Sequence, residues 1–317
     1  MTKTKPLAQA KIKSSKISLE KTLPDKTPLG EISLGEIYEI LDSISPFSLQ
    51  ESWDNSGINL GHSSQKITQI FLALEADLQI AQNLPPNSLL ITHHPLIFSP
   101  LKSFDPTDYP AKILQILIQK NCALIAMHTN FDKTHLNEYF AKDILGFDSP
   151  SLCSDNLSRF CALPPTPIAS LAQRVKSSLS LKSLTYSAPN EDFLVSQVYF
   201  VCGSGASFWH KIAQGQISQI SQEKEAKDEK SSQINSATTR GGVAAQNTNS
   251  GICLITSDIK YHDAMSAKCA NIALIDATHY ASERHFAPLL HNNLHNNLQI
   301  KHLNCIMLEN FSPFSYI

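Results

Sequence analysis

Three short segments place imidazole and carboxylate side chains directly after apolar runs. Leu89-Leu90-Ile91-Thr92 runs into His93-His94-Pro95, and Ala123-Leu124-Ile125-Ala126-Met127 runs into His128-Thr129-Asn130-Phe131-Asp132. Ile272-Ala273-Leu274-Ile275-Asp276 leads through Ala277 and Thr278 to His279-Tyr280-Ala281-Ser282-Glu283. If the apolar runs are strands, these side chains sit at carboxyl ends, where open α/β sheets bind ligands. Convergence of the three ends would gather four His, one Asp and one Glu. Such a donor set, lacking thiolates, suits Zn²⁺, Mn²⁺, Fe²⁺, Co²⁺ or Ni²⁺ better than Cu⁺, Ca²⁺ or Mg²⁺. His279 and Glu283 are four residues apart and so share one face of a helix that begins near His279. Adjacent His93 and His94 point to opposite sides of a regular strand, so both can serve one cluster only where the chain turns. Pro95 supports a turn there. Each segment alone has a plainer account; Asp132, for instance, could cap a helix beginning near Lys133. Joint placement is what points to a metal centre.

The elements that must position these residues follow from periodicity. Ile37, Ile40, Leu41 and Ile44 recur at helical spacing before Pro46. Strands are expected at Ile67–Leu74, Ser88–Thr92, Cys122–Met127, Phe193–Cys202, Gly251–Thr256, Asn271–Asp276 and Leu298–Leu308. Amphipathic stretches between them predict helices at Leu78–Leu84, Ala111–Lys120, Thr134–Leu145, Ile168–Leu179, Phe208–Gln214, Asp263–Lys268 and Ser282–Leu290. Such alternation is the mark of an α/β protein. Residues 150–167, with Pro150, Pro164, Pro165 and Pro167, read as a hinge between an N-terminal α/β domain (31–150) and a C-terminal one (151–317). The stretch 214–250 is rich in Ser, Gln, Asn, Lys and Glu and is expected to be a disordered insertion, since it has too little apolar surface to offset its ordering entropy.

Composition narrows the function classes. The 317 residues are 42% hydrophobic, and 26 Lys and Arg face 28 Asp and Glu for a net charge of −2, which argues against a nucleic-acid coat. Residues 1–30 carry seven Lys against Glu20 and Asp25 and read as a separate, disordered basic leader. No stretch approaches the roughly 20 apolar residues that cross a bilayer, and the leader lacks a secretory apolar core. Seven Cys without a C-x-x-C pair indicate neither a disulfide framework nor a thiolate zinc site, so a reducing cytoplasm is the expected location.

Other motifs are weaker. Gly203-Ser204-Gly205 lacks the third glycine of a dinucleotide fingerprint but could form a tight turn whose N–H groups receive a phosphate. Asp54-Asn55-Ser56-Gly57 reads as an Asx-type turn, and Trp53 before it as a packing anchor.

Taken together, Trp53-Asp54-Asn55-Ser56-Gly57, His93-His94-Pro95, His128-Thr129-Asn130-Phe131-Asp132, Asp258-Ile259-Lys260-Tyr261-His262-Asp263-Ala264 and His279-Tyr280-Ala281-Ser282-Glu283 resemble the signatures of the GTP cyclohydrolase 1 type 2 homologues, the Nif-three-like dinuclear-metal family. The resemblance implies two related α/β domains with mixed sheets, a dinuclear metal site at strand carboxyl ends, and a toroidal homohexamer. It carries the ligand role for two divalent ions per chain onto His93, His94, Asp132, His279 and Glu283. His128 becomes a neighbour of the metals, and His128 or His262 could shuttle protons in a reaction that also depends on Glu283. The activity implied is hydrolytic opening of the imidazole ring of GTP, towards dihydroneopterin triphosphate and folate. A dinuclear phosphoesterase, another amidohydrolase, or a non-catalytic metal-binding scaffold are the alternatives, since two metals can clamp an in-line displacement equally well. Two positions depart from the family pattern: Ser257 and Thr278 stand where Gly is usual.

Overall fold

The structure, a computed structural model, describes residues 32–219, 251–295 and 305–315. The basic leader and most of the expected insertion, 220–250, lie outside the described residues, as does the first part of the strand expected at Leu298–Leu308. The strands are β1 (Ile32–Ser33), β2 (Gly57–Leu60), β3 (Lys66–Ile67), β4 (Gln69–Ala73), β5 (Ser88–Thr92), β6 (Ala123–Ala126), β7 (Ser151–Leu152), β8 (Arg159–Pro167), β9 (Thr185–Ser187), β10 (Leu194–Phe200), β11 (Gly251–Thr256), β12 (Ile272–Asp276) and β13 (Cys305–Met307). One sheet has the order β13-β4-β5-β6-β2 and the other β7-β8-β10-β11-β12-β9, with β1 and β3 paired separately. Both sheets are mixed. β13, β4, β5 and β6 run parallel with β2 antiparallel at the edge. β10, β11 and β12 run parallel and are flanked by antiparallel β8 and β9.

Alternate residues along the parallel strands divide between two faces, as the pleat requires. Ile70 and Leu72 of β4 and Leu89 and Ile91 of β5 face inward, where they join Val198 and Phe200 of β10 and Ile255 and Ile275 of β11 and β12 in one apolar cluster. The helix Leu34–Ile44, the helical run through residues 129–144, and the helices Ile168–Ser178 and Phe286–His295 also contribute to it. Phe71 and Leu90, on the opposite face of the first sheet, pack with Ile80, Ile113 and Leu117 of the helices Leu78–Asn83 and Ala111–Gln119. Tyr199, Leu254 and Leu274 do the same in the second sheet with Trp209 and Ala267. Strands covered on both faces are continuously apolar, which explains why β5, β6, β11 and β12 stand out in the sequence.

Four local expectations change. Residues 150–167, expected as a proline-marked hinge, contain β7 and the nine-residue β8, which pairs antiparallel with β10; the prolines of β8 fall towards the exposed end of the strand, past a register shift. Pro is tolerated at such irregular strand ends because no ladder donor is needed there. Residues 305–307, grouped with the second half on sequence, add a parallel edge strand to the first sheet. At the start of the expected insertion, Ile217 is buried and Ser218 exchanges hydrogen bonds with Ser154 at 2.9 and 3.1 Å, so these residues are held against the body of the fold. The helix expected from Thr134 begins at Thr129 and includes two π-helical segments, Asp132–Leu136 and Phe140–Ile144, a widened geometry found often at functional sites.

One buried amide ties that run to the second sheet. Asn137, fully buried, accepts from the Cys202 N–H at 2.7 Å and donates to the Leu157 carbonyl at 3.1 Å. Asn137→Ala leaves the buried Cys202 N–H without its partner, while the Leu157 carbonyl still accepts from Arg159. It is expected to lower unfolding free energy by about 1–3 kcal/mol, read as a reduced urea midpoint at unchanged m-value.

Candidate metal centre

The six long parallel strands release their chains towards one place. β4 is followed by Glu75, β5 by His93 and His94, and β6 by His128, while β10 leads to Gly203, β11 to Asp258, and β12 to His279 and Glu283. The ladders continue briefly past the strands: Met127 N–H donates to Thr92 O at 2.8 Å and Ala277 N–H to Thr256 O at 2.7 Å. The turns that aim the side chains are therefore anchored in the sheets.

Each histidine is fixed through its Nδ1. That atom of His93 lies 2.9 Å from the Met127 carbonyl, that of His94 2.6 Å from Glu75, that of His128 2.8 Å from Asp54, and that of His279 2.7 Å from Asp258. A carbonyl or carboxylate there requires N–H at Nδ1, which leaves Nε2 of the neutral ring as an acceptor. These acceptors converge on carboxylate oxygens. Glu283 Oε2 is 3.1 Å from His94 Nε2 and 3.0 Å from His279 Nε2, and Glu283 Oε1 is 3.7 Å from His93 Nε2. Asp132 Oδ1 lies 3.5 Å from His93 Nε2, and the Nε2 atoms of His94 and His279 are 3.2 Å apart. His93 Nε2, Asp132 Oδ1 and Glu283 Oε2 are buried without a hydrogen-bond partner. Acceptors facing acceptors in a buried site need a cation between them, and this donor set fits a divalent transition metal. Three overlapping groups have donor atoms close enough for one ion: His93, Asp132 and Glu283; His94, His279 and Glu283; and His93, His94 and His128.

Electrostatics agree with the geometry. Burial works against ionised Glu283, yet His94, His279 and His93 hold it well below the usual carboxylate range. Burial likewise works against a charged His94, but Glu283 and Glu75 raise it well above 6.5. His279 is raised to about 9 by Glu283 and Asp258 in spite of its burial. Burial, aided by Glu283, pushes Asp132 up to about 7 against the pull of His128 and His94. In the metal-free chain, protons occupy places a metal would take.

Local backbone features serve the cluster. Gly203 (φ +61°) passes so close to Glu283 that a Cβ would collide with Oε1. Its N–H donates to Ser282 Oγ at 3.1 Å, and that of Gly205 to Thr256 Oγ1 at 3.0 Å, so this turn makes room for a carboxylate and the N–H groups of both glycines are spent internally. Thr278 has φ +60°, ψ 138°, whereas Ser257 does not take positive φ; the left-handed residue there is Asp258, at +56°. His262, by contrast, is exposed in the first turn of the helix Tyr261–Cys269 and belongs to none of the three groups. Trp53, expected to anchor packing, is 56% exposed.

Glu75 and Asp54 were missed as participants. Glu75 stands two residues past the end of β4, as His94 stands past β5, so the strand-end rule would have found it. Asp54 looks like a turn former because it is one: it accepts from Asn55 N–H and Ser56 Oγ while also reaching His128 and both donors of Thr129. Beside His94 and His279 opens a cavity of about 510 Å³, walled by Leu184, Tyr280, Phe311 and Phe314 and edged by Glu75, Asp258 and Asp276.

Fold and cluster together define a mixed α/β protein with a buried histidine–carboxylate centre at strand ends. Residues 32–220 and 229–313 match the family described as Duf34/NIF3 (NGG1p interacting factor 3), and the chain belongs to that family. It is 42% identical over 260 residues to the GTP cyclohydrolase 1 type 2 of Helicobacter pylori strain J99, covering 82% of this chain and 90% of that protein. A GTP cyclohydrolase 1 type 2 homolog of Campylobacter jejuni is 36% identical over 291 residues, covering 90% and 100%. Among solved structures, a hypothetical protein of Staphylococcus aureus superposes with a TM-score of 0.67 at 22% identity, over 92% of this chain and 100% of that one. A Bacillus cereus protein related to NIF3 gives 0.67 at 15% identity, over 90% and 99%.

Two outcomes follow from these observations. Folded-state values for Asp132 and His279 lie above their ordinary 3.8 and 6.5, so the folded metal-free chain holds extra protons that it loses as pH rises towards 7 and 9. The thermal midpoint of metal-stripped protein is expected to fall between pH 6.5 and 9, and saturating divalent metal to remove that fall. Thr278→Gly should relieve about 1–3 kcal/mol of backbone strain against about 0.5–1 kcal/mol of glycine entropy. A higher thermal midpoint with unchanged metal content is expected.

Proposed function

We propose that this protein is a metal-dependent hydrolase that opens the imidazole ring of GTP, using two divalent ions per chain. The observation that carries the reading is the sharing of Glu283: one carboxylate oxygen faces His93 and the other faces His94 and His279, so two three-residue donor groups have Glu283 in common. When bound, a pair of such ions brings the pKa of a bound water towards neutrality and polarises the bond under attack. The chain's own task is proton management. Ring opening consumes one water, breaks a bond between C8 and a ring nitrogen, and delivers a proton to the departing nitrogen. His128 suits that delivery through Nε2, because Asp54 meets its Nδ1 at 2.8 Å and so fixes the orientation of the ring. The relatives' names support GTP as substrate. Within the same reading we place a layout of two related α/β domains, a toroidal homohexamer and a cytoplasmic location. Light scattering at six times the chain mass tests the assembly.

A second reading has its own support. The described lining of the cavity beside His94 includes Glu75, Asp258 and Asp276 but neither Lys nor Arg. A hydrolase acting on a neutral cyclic amide or related heterocycle would fit that lining better than a triphosphate does.

Incubating metal-loaded protein with GTP separates the possibilities. Formate release or a fluorescent pterin supports the first, phosphate release alone indicates a phosphoesterase, and no reaction indicates a substrate without phosphates or a scaffold role. Glu283→Gln preserves shape but removes the shared negative charge. Metal content measured by elemental analysis is expected to drop from two ions to one or none, with loss of turnover and retention of the fold by circular dichroism. Two retained ions would refute the assignment.

A further inference from the structure

Folding leaves Trp53 and Phe98 in water, at 56% and 50% exposure, although their backbones are held firmly. Asn55 Nδ2 donates to Ile97 O at 2.5 Å, and the Ile97 N–H donates to Asn59 Oδ1 at 3.3 Å, so the loop after His94 is fastened both to the loop before β2 and to β2 itself. Asp54, next to Trp53, is fastened in turn to His128 and Thr129. The two rings stand 6.0 Å apart at 49°, and each approaches His128, at 6.1 and 6.3 Å between centroids. The His128 ring is itself 5.1 Å from that of His93 and 5.3 Å from that of His94. An exposed aromatic side chain on a pinned backbone presents a flat face at little entropic cost, which is how aromatic residues serve recognition.

We propose that Trp53 and Phe98 form a stacking platform that seats a planar heteroaromatic ring of nucleobase size at the His128 edge of the metal centre. The inference deepens the functional reading above and rests on it only in taking the His/carboxylate cluster as the reactive centre. A π-face accepts every base, so the platform places the ring and leaves discrimination between bases to polar groups elsewhere. It also keeps the base apart from the acid-edged cavity beside His279.

The test is calorimetric titration of the protein as purified, with its metal, using GTP, guanosine, adenosine, riboflavin and inorganic tripolyphosphate. Wild type is compared with Trp53→Ala, Phe98→Ala and the conservative Trp53→Phe. Guanosine and GTP are expected to bind wild type, to lose about tenfold or more in affinity in each Ala variant, and to recover in Trp53→Phe. Tripolyphosphate affinity and metal content should not move. Equal affinity for guanosine in wild type and both Ala variants overturns the platform. So does failure of every heterocycle to bind wild type, or a change in subunit number on Trp53→Ala, which would make the patch an interface with a second copy. If adenosine or riboflavin binds with the same dependence on Trp53 while GTP is neither bound nor converted, the platform stands and the GTP reading fails. Turnover of GTP with KM unchanged in Trp53→Ala has the opposite meaning.

Discussion

The burial of the Glu283 carboxylate is the constraint on which the rest of the molecule depends. Its side chain is 3% exposed, and an ionised carboxylate so placed costs several kcal/mol unless cations and donors surround it. One compensating group, His279, follows β12 as Glu283 does, and the others come from the other sheet. His93 and His94 follow β5, so the carboxylate is fully surrounded only when the two sheets meet at these ends. The shared apolar cluster supplies non-directional adhesion between the sheets, and the buried carboxylate supplies direction. Gly203 completes the arrangement by leaving out the one atom that would occupy the carboxylate's place.

A second regularity concerns what stands behind the histidines. Three of the four Nδ1 atoms meet a carboxylate, and the fourth meets a main-chain carbonyl. The three carboxylates follow β4 and β11 or lie in the loop before β2, so each outer partner arrives on an element neighbouring the one that carries its histidine. Ring orientation is thereby built into sheet order. Asn310 extends the same principle: its side chain accepts from the Leu74 and Glu75 N–H groups at 2.8 and 3.1 Å, holding the C-terminal segment against the residue that orients His94.

Much of this was legible in sequence because the parallel strands, covered on both faces, are short uninterrupted apolar runs whose last residue is easy to find. His93, His94, His128 and His279 follow such runs within three residues, with Asp132 and Glu283 one helical turn further on, and proximity after strand ends is a rule with a physical basis. What escaped had local signals pointing elsewhere. β8 is hidden by Pro164, Pro165 and Pro167, which in isolation argue against a strand; its inner residues Arg159 and Phe160 pair with Phe200 and Tyr199 regardless. β2 is a four-residue edge strand with only Gly57 buried, too short and too mixed to show a period. Trp53 carries the large apolar area of a packing residue, and no property of the side chain reveals that the loop holds it outward. His262 sits in a family-like motif, but a helix start displaces it from the strand end that places Asp258.

Charge balance bears on how many ions such a centre could hold. The cluster and its immediate backing contain five carboxylates: Asp132 and Glu283 among the converging atoms, and Glu75, Asp54 and Asp258 behind the histidines. With neutral imidazoles, one dication would leave three negative charges in a largely buried site, which favours retained protons on His94 and His279. Two dications leave a single negative charge and release the four Nε2 lone pairs from competition with protons. The raised values of Asp132, His94 and His279 are thus the expected behaviour of an acid-rich centre read without its counter-charge. The charge count, in which Glu283 is one of five carboxylates, supports the same paired-ion proposal as the shared position of that residue.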